Sequence, residues 1–162
     1  MSWRALHRAD SAVNTDRFGR VAMLLVRVAR ACPIPLAAVI VDIALKVVCG
    51  VDIPRSAEIG PGLRLAHGGR GTVIHPRARI GERVTIYHGV TLGTRGDGTD
   101  DAPTIGDGAY IGAGACILGG VTVGRKARIG ANAVVLTDIP DCATAVGVPA
   151  RVTYADRSPD ST

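Results

Sequence analysis

The stretch IGAGACILGGVTVGRKARIGANAVV, Ile111 to Val135, places an aliphatic residue at every sixth position: Ile111, Ile117, Val123, Ile129 and Val135. Four residues after each of the first four stands a small apolar residue, in turn Ala115, Val121, Ala127 and Ala133. A period of six is neither the 3.6 of a helix nor the alternation of a lone strand, so it marks a repeat. A coil with three short faces accounts for it, each hexapeptide supplying one large and one small inward residue. No hexapeptide can bury its aliphatic alone, whereas stacked coils can.

The same beat continues toward the N-terminus through Ile105, then Leu92, Ile86, Ile80 and Ile74, then Leu65, Ile59 and Ile53. Gly follows the aliphatic at 60, 81, 93, 106, 112, 124 and 130, and is expected there because the chain must turn between faces. Composition agrees. The chain has 162 residues, 47% hydrophobic and only 3% aromatic, with 21 Gly, which suits one domain whose core is filled by small aliphatics. The fold class is therefore mainly β, with 51–152 as the coil domain, 1–50 as a short N-terminal α-helical segment and 153–162 as a flexible tail.

In the N-terminal segment, Phe18 to Cys32 has helical periodicity, with Arg17, Arg20, Arg27 and Arg30 on one arc. A second helix is expected from Leu36 to Val48, supported by Asp42 and Lys46 four residues apart. Its apolar run is too short and too charged to span a bilayer. The basic helix is expected to pack on the main domain or a partner subunit, with weak contact to a membrane surface as the other use. The formal charge of +5 is concentrated here: residues 1–50 hold seven Arg/Lys against three Asp/Glu, and the remainder twelve against eleven. A balanced main body argues against nucleic acid as a partner. The opening MSWRALHRAD has no apolar core of a secretory leader. Cysteines 32, 49, 116 and 142 lack metal-site spacing and are expected to be buried, reduced thiols of a cytoplasmic protein.

Two interruptions break the beat. Leu65 to Ile74 spans nine residues instead of six, and His67 stands in the added turn within LRLAHGGRGTVIHP, Leu63 to Pro76. Between Leu92 and Ile105 the segment TRGDGTDDAPT, 94–104, must leave as a loop. With three beats per coil, Leu65 and Ile86 stack about 4.8 Å apart. His67 and His88, each two residues further on, then share a face in adjacent coils. The two excursions are expected to wall a cleft. His75 is read as structural, and His7, with no motif around it, as a surface residue.

GVDIP (50–54), LAHGGRGTVIHP (65–76), IGERVTIYHGVTLG (80–93), IGAGACILGGVTVG (111–124) and VGVPARV (146–152), in this order, resemble the hexapeptide-repeat acyltransferases. Within them the chain resembles the serine acetyltransferases and related O-acetyltransferases of surface-polysaccharide synthesis. The resemblance implies a left-handed parallel β-helix, acetyl-CoA as co-substrate, no metal, and a homotrimer with active sites between subunits. It also implies direct acetyl transfer to a small hydroxyl acceptor, with His67 as general base and Asp52 fixing its tautomer. Asp52 can instead simply cap the turn before Ile53. His88 suits either the cleft lining or an interface.

For the acceptor the candidates are His88, Asp100, Asp101 and Arg95. For the coenzyme they are Gly93, Thr94, Ala113, Arg128 and Lys126, with Arg125 and Arg151 nearby as further cations for phosphate. Ala66 stands where the serine enzymes carry an acidic residue, and Asp100, Asp101, Ala102, Pro103 where they carry Asp-Arg-His-Pro. L-serine is therefore expected to be a poor acceptor and a sugar unit a better one. The alternatives are an L-serine O-acetyltransferase whose cation comes from Arg95, Arg70 or a neighbouring subunit, and a non-catalytic scaffold. A γ-type carbonic anhydrase is excluded, because no two histidines lie five residues apart.

Overall fold

The computed structural model of the protein describes residues 17–31, 39, 40 and 43–153. His7, Cys32, Asp42 and the expected tail from residue 154 lie outside them. The six-residue beat becomes four stacked coils. The first holds β1 (Glu58–Ile59), β2 (Arg64–Leu65) and β3 (Val73–Ile74), and the second β4 (Arg79–Ile80), β5 (Thr85–Ile86) and β6 (Thr91–Gly93). The third holds β7 (Thr104–Ile105), β8 (Tyr110–Ile111) and β9 (Cys116–Leu118), and the fourth β10 (Thr122–Val123), β11 (Arg128–Ile129) and β12 (Val134–Val135).

Strands at equal places in successive coils pair in parallel and form three faces, β1-β4-β7-β10, β2-β5-β8-β11 and β3-β6-β9-β12. These are called the first, second and third faces below. Leu65 lies opposite Ile86, Ile86 opposite Ile111 and Ile111 opposite Ile129, the three-beat stacking expected. A partial fifth turn adds β13 (Thr144–Val146) to the second face, and β14 (Arg151–Thr153) folds back antiparallel onto it. Twelve of the thirteen beat aliphatics are buried and Ile59 is half-buried. All the small fourth residues, from Ala57 to Ala133, are buried as well. Each buried Ile or Leu contributes about 1.5–3 kcal/mol, so the stacked column is the core.

The glycines serve a different purpose from the one expected. A Cβ on Gly60 would stand 2.7 Å from the Gly81 carbonyl carbon, and one on Gly112 only 2.6 Å from the Ala131 nitrogen. These positions point along the prism axis into the next coil's backbone, where only hydrogen fits. The left-handed turn comes two residues later, at Gly62, Arg83, Gly108, Gly114, Lys126 and Asn132. Close coil stacking, not turning, selects glycine at 60, 81, 106, 112, 124 and 130, whereas a Cβ on Gly93, at the start of the loop, would meet only ordinary contacts at 3.5 Å and beyond.

Helix α1 (Arg17–Ala31) lies against β2 and the turn that follows it. Gly19 permits this approach, since a Cβ there would meet the Leu65 carbonyl oxygen at 2.4 Å. Val26 is buried on the same side. The second helix is described at residues 39, 40, 43 and 44, and then widens into a π-helical turn, Leu45–Cys49, closed by left-handed Gly50. No helix among the described residues is long and apolar enough to cross a membrane. The cysteines correct one expectation. Cys49 is buried, but Cys116 is half-buried and Cys142 exposed, all three as free thiols. Cys142 takes the left-handed corner position, whose side chain points outward.

Candidate active site

The added residues after Leu65 form a tight turn, Ala66–Gly69, in which His67 itself adopts the left-handed region at φ 53°, ψ 37°. A non-glycine residue there costs about 1–2 kcal/mol, so the surroundings must hold it. They do so through backbone. The Gly71 N–H donates to the Gly50 carbonyl at 2.7 Å, Thr72 N–H to Gly69 at 2.9 Å and Gly89 N–H to Arg70 at 2.8 Å. Thr72 is fully buried, and its hydroxyl donates to the Tyr87 carbonyl at 3.2 Å. The exposed His67 imidazole meets His88 edge-on, centroids 5.5 Å apart at 82°, and Tyr87 at 5.7 Å and 61°. The two histidines thus meet where the beat arithmetic puts them.

Asp52 lies beside the far end of this turn. Its N–H donates to the Thr72 carbonyl and its carbonyl accepts from Ile74 N–H, both at 2.9 Å. Its carboxylate, however, pairs with Lys46 at 3.1 Å. Among the described residues no hydrogen bond or ion pair joins it to His67. The expected partner of Lys46, Asp42, lies outside the described residues; from the π-helical turn the Lys46 ammonium reaches Asp52.

The loop 94–104 leaves from another corner. His67, His88 and Ala113 stand at the corner between the second and third faces, and the loop at the corner between the third face and the next coil's first face. Within one chain the two excursions therefore flank the third face rather than wall a common cleft. Side chains fasten the loop. Asp100 pairs with Arg77 and, at 3.3 Å, with His75, while Arg77 also donates to the Asp100 carbonyl. Arg95 donates to the Leu118 carbonyl at 3.3 Å and to that of Leu136. Hydrogen bonds from the Thr99 hydroxyl and N–H hold the Asp97 carboxyl below its usual range. Asp101 is exposed, and Ala102 is half-buried. Two acceptor candidates, Asp100 and Arg95, are thus already occupied as fasteners, a role the sequence did not suggest, and Arg77 was missed altogether.

The coenzyme candidates are also dispersed. Gly93 ends β6, and Thr94 opens the loop. Ala113 is half-buried at the corner of His67 and His88, and Lys126 is exposed at the corner between the first and second faces. Arg128 lies on the second face with its guanidinium over the Tyr110 ring, 4.5 Å from the centroid. Arg125 forms a two-pronged pair with Asp141 at 2.9 and 2.8 Å, which holds that carboxyl below the usual carboxylate range. Arg151 belongs to β14 and donates to the Ala150 carbonyl at 3.1 Å. Among the described residues no group of three His, Cys, Asp or Glu side chains could hold a metal.

A family model described as bacterial transferase hexapeptide, six repeats, matches residues 102–137. A serine acetyltransferase of Helicobacter pylori is 48% identical over 113 residues, covering 69% of this chain and 66% of that protein. The chain belongs to the serine acetyltransferase-like hexapeptide-repeat family. A soybean serine acetyltransferase complexed with serine superposes with a TM-score of 0.77 at 42% identity, over 85% of this chain and 58% of that one. Another serine acetyltransferase, in complex with CoA, gives 0.75 at 39% identity over 84% and 57%. The chain therefore spans somewhat less than two thirds of these relatives.

Proposed function

We propose that the protein transfers the acetyl group of acetyl-CoA to a hydroxyl of a small acceptor, with His67 as general base. The observation that carries this reading is an exposed imidazole at the break in the coils, held by a backbone-braced left-handed turn. An imidazole nitrogen takes the acceptor's hydroxyl proton as the oxygen attacks the thioester carbonyl. A C–O bond forms, the C–S bond breaks, and the departing thiolate recovers the proton from the imidazolium as CoA thiol. Base assistance of this kind is worth about 10²–10⁴ in rate. Asp52 orients the imidazole by exchanging Lys46 for His67.

The dispersal of Thr94, Ala113 and Lys126 over three corners supports a coenzyme held where copies meet, and hence a homotrimer. Helix α1 leaves Val21, Leu24 and Val28 exposed beside Arg20 and Arg27. That face suits a neighbouring copy first and an anionic membrane surface second.

Ala66, Asp101 and Ala102 offer no cation to an amino-acid carboxylate, which favours a neutral or amine-bearing acceptor such as a sugar unit. Two lost charge-assisted contacts at about 1.5–3 kcal/mol each weaken discrimination by a few hundredfold or more. The relatives' activity favours L-serine as the second reading, and then Arg70, exposed on the His67 turn, is the better source of the cation because Arg95 is committed to backbone. Steady-state kinetics decide. A kcat/KM for L-serine at or above about 10⁴ M⁻¹s⁻¹ establishes the serine enzyme, and a value far below it, with a sugar acceptor above it, the first reading.

A further inference from the structure

The second face carries a ladder of side chains that the chemistry above does not use. Arg128 on β11 covers the ring of Tyr110 on β8, and the two residues are direct register partners. Tyr110 in turn packs against Tyr87, centroids 5.2 Å apart at 52°. Tyr87 follows β5 and meets His67, the residue two beyond β2, at 5.7 Å. The ladder therefore climbs one coil per step, from the His67 turn through Tyr87 and Tyr110 to Arg128. In a chain with only 3% aromatic residues, two of its three tyrosines stand in this one column.

Backbone fixes the Cα of His67 but not its χ angles, and until Asp52 exchanges Lys46 for His67 its carboxylate gives the imidazole no support. The ring contacts of the exposed imidazole among the described residues are those with Tyr87 and His88. Of these, Tyr87 is braced from behind, by the Tyr110 ring and then the Arg128 guanidinium on the next two coils. An imidazole that swings on an exposed turn spends much of its time away from the acceptor oxygen, and a displacement of about 1 Å can cost about 10²-fold in rate.

We propose that Tyr87 is a positioning residue for His67: its ring, braced by Tyr110 and Arg128, holds the imidazole in the orientation that receives the acceptor's proton. This rests on His67 being the base. The ring, not the phenol hydroxyl, does the holding, so Tyr87→Phe should be close to the parent and Tyr87→Leu should not.

The test compares His67→Ala, Tyr87→Leu and Tyr87→Phe in the full chain. Free CoA release from acetyl-CoA is followed with L-serine and with a hexosamine, and thermal midpoint and sedimentation are checked for each variant. Expected are a loss of about 10²–10⁴ in kcat for His67→Ala and about 10–10² for Tyr87→Leu, with KM for acetyl-CoA unchanged and Tyr87→Phe restored. A second readout needs no acceptor. The imidazole C–H proton resonances of His67, identified by their absence in His67→Ala, should carry a ring-current displacement that Tyr87→Leu removes and Tyr87→Phe keeps. Near-normal turnover in His67→Ala overturns the base assignment and leaves Tyr87 nothing to position. An inactive His67→Ala beside a fully active Tyr87→Leu overturns the positioning role alone. Equal damage in Tyr87→Phe and Tyr87→Leu shifts the role to the hydroxyl, and an unmoved His67 resonance in Tyr87→Leu removes the contact itself.

Discussion

The two interruptions of the coil are held in place by different means. The His67 turn is bolted by backbone hydrogen bonds to the coil edge at Gly50 and to the next coil at Gly89, with Thr72 buried beneath it. The loop 94–104 is fastened by side chains, with Arg77 paired to Asp100, the His75 ring 3.3 Å from the same carboxylate, and Arg95 on two carbonyls. The proposed base sits on the first kind of support, which suits a group that must stay within a fraction of an ångström. The second kind is easily undone, because exposed ion pairs contribute at most about 1 kcal/mol.

The largest expected effect comes from setting the regular coils themselves against the loop, one methyl group each. Gly112→Ala should destabilise by about 1–3 kcal/mol, because its Cβ would stand 2.6 Å from the Ala131 nitrogen in stacked backbone that cannot yield. Gly98→Ala in the loop meets nothing within 4 Å and is charged only for its left-handed φ of 86°, about 1 kcal/mol. Chemical denaturation midpoints compare the two, and equal losses would show that the loop is as tightly packed as the coils.

Arg77→Ala comes next in size. The pair with Asp100 is more than half exposed on both sides, so the denaturation midpoint should stay within about 1 kcal/mol of the parent. Amide exchange should rise across 94–104 and remain unchanged at 66–72. High salt should reproduce that pattern in the parent protein, since it screens charges and leaves backbone hydrogen bonds alone. Faster exchange in the His67 turn after either treatment would erase the distinction.

The smallest effect is at the partial fifth turn. Arg125 holds the Asp141 carboxyl below its ordinary value of 3.8, through its side chain first and its N–H second. A depressed carboxyl stabilises the fold fully above its ordinary value and loses that contribution as pH falls through the lower, folded one. Thermal midpoints measured below about pH 4 should therefore fall less steeply in Asp141→Asn than in the parent. Parallel curves would assign the acid limb to other carboxylates.

The inward column could be read from the sequence because burial repeats with the chain's own period, and Leu65 over Ile86 follows from counting beats. The reason for the glycines could not, since a period says how often a position recurs and not that Gly112 points along the axis at Ala131. Tyr110 and Arg128 each stand one residue before an inward aliphatic of the same face, so three-beat counting would have found that step of the ladder. Tyr87, two residues out of that register, would have escaped it. The Lys46–Asp52 pair had no such signal, because it joins the π-helical turn Leu45–Cys49 to the chain beyond Gly50 and no period relates the two. Arg77 and Asp100 are 23 residues apart across a loop of undetermined path, and only the folded chain brings them together.

Strand β14 carries a consequence for what the molecule is prevented from becoming. A stack of parallel coils has no intrinsic stopping point, and its last rung offers a row of open N–H and C=O groups to any chain of like direction. Along the second face that invitation is withdrawn by three residues, Arg151 to Thr153, which run the opposite way beside Thr144 to Val146. A further parallel rung finds its place on that face taken by a strand of the wrong polarity. At the other end α1 lies across Leu65, at a distance only Gly19 allows. On its second face, a stack built from one repeated unit is thereby closed by two described segments outside the repeat, β14 at one end and α1 at the other.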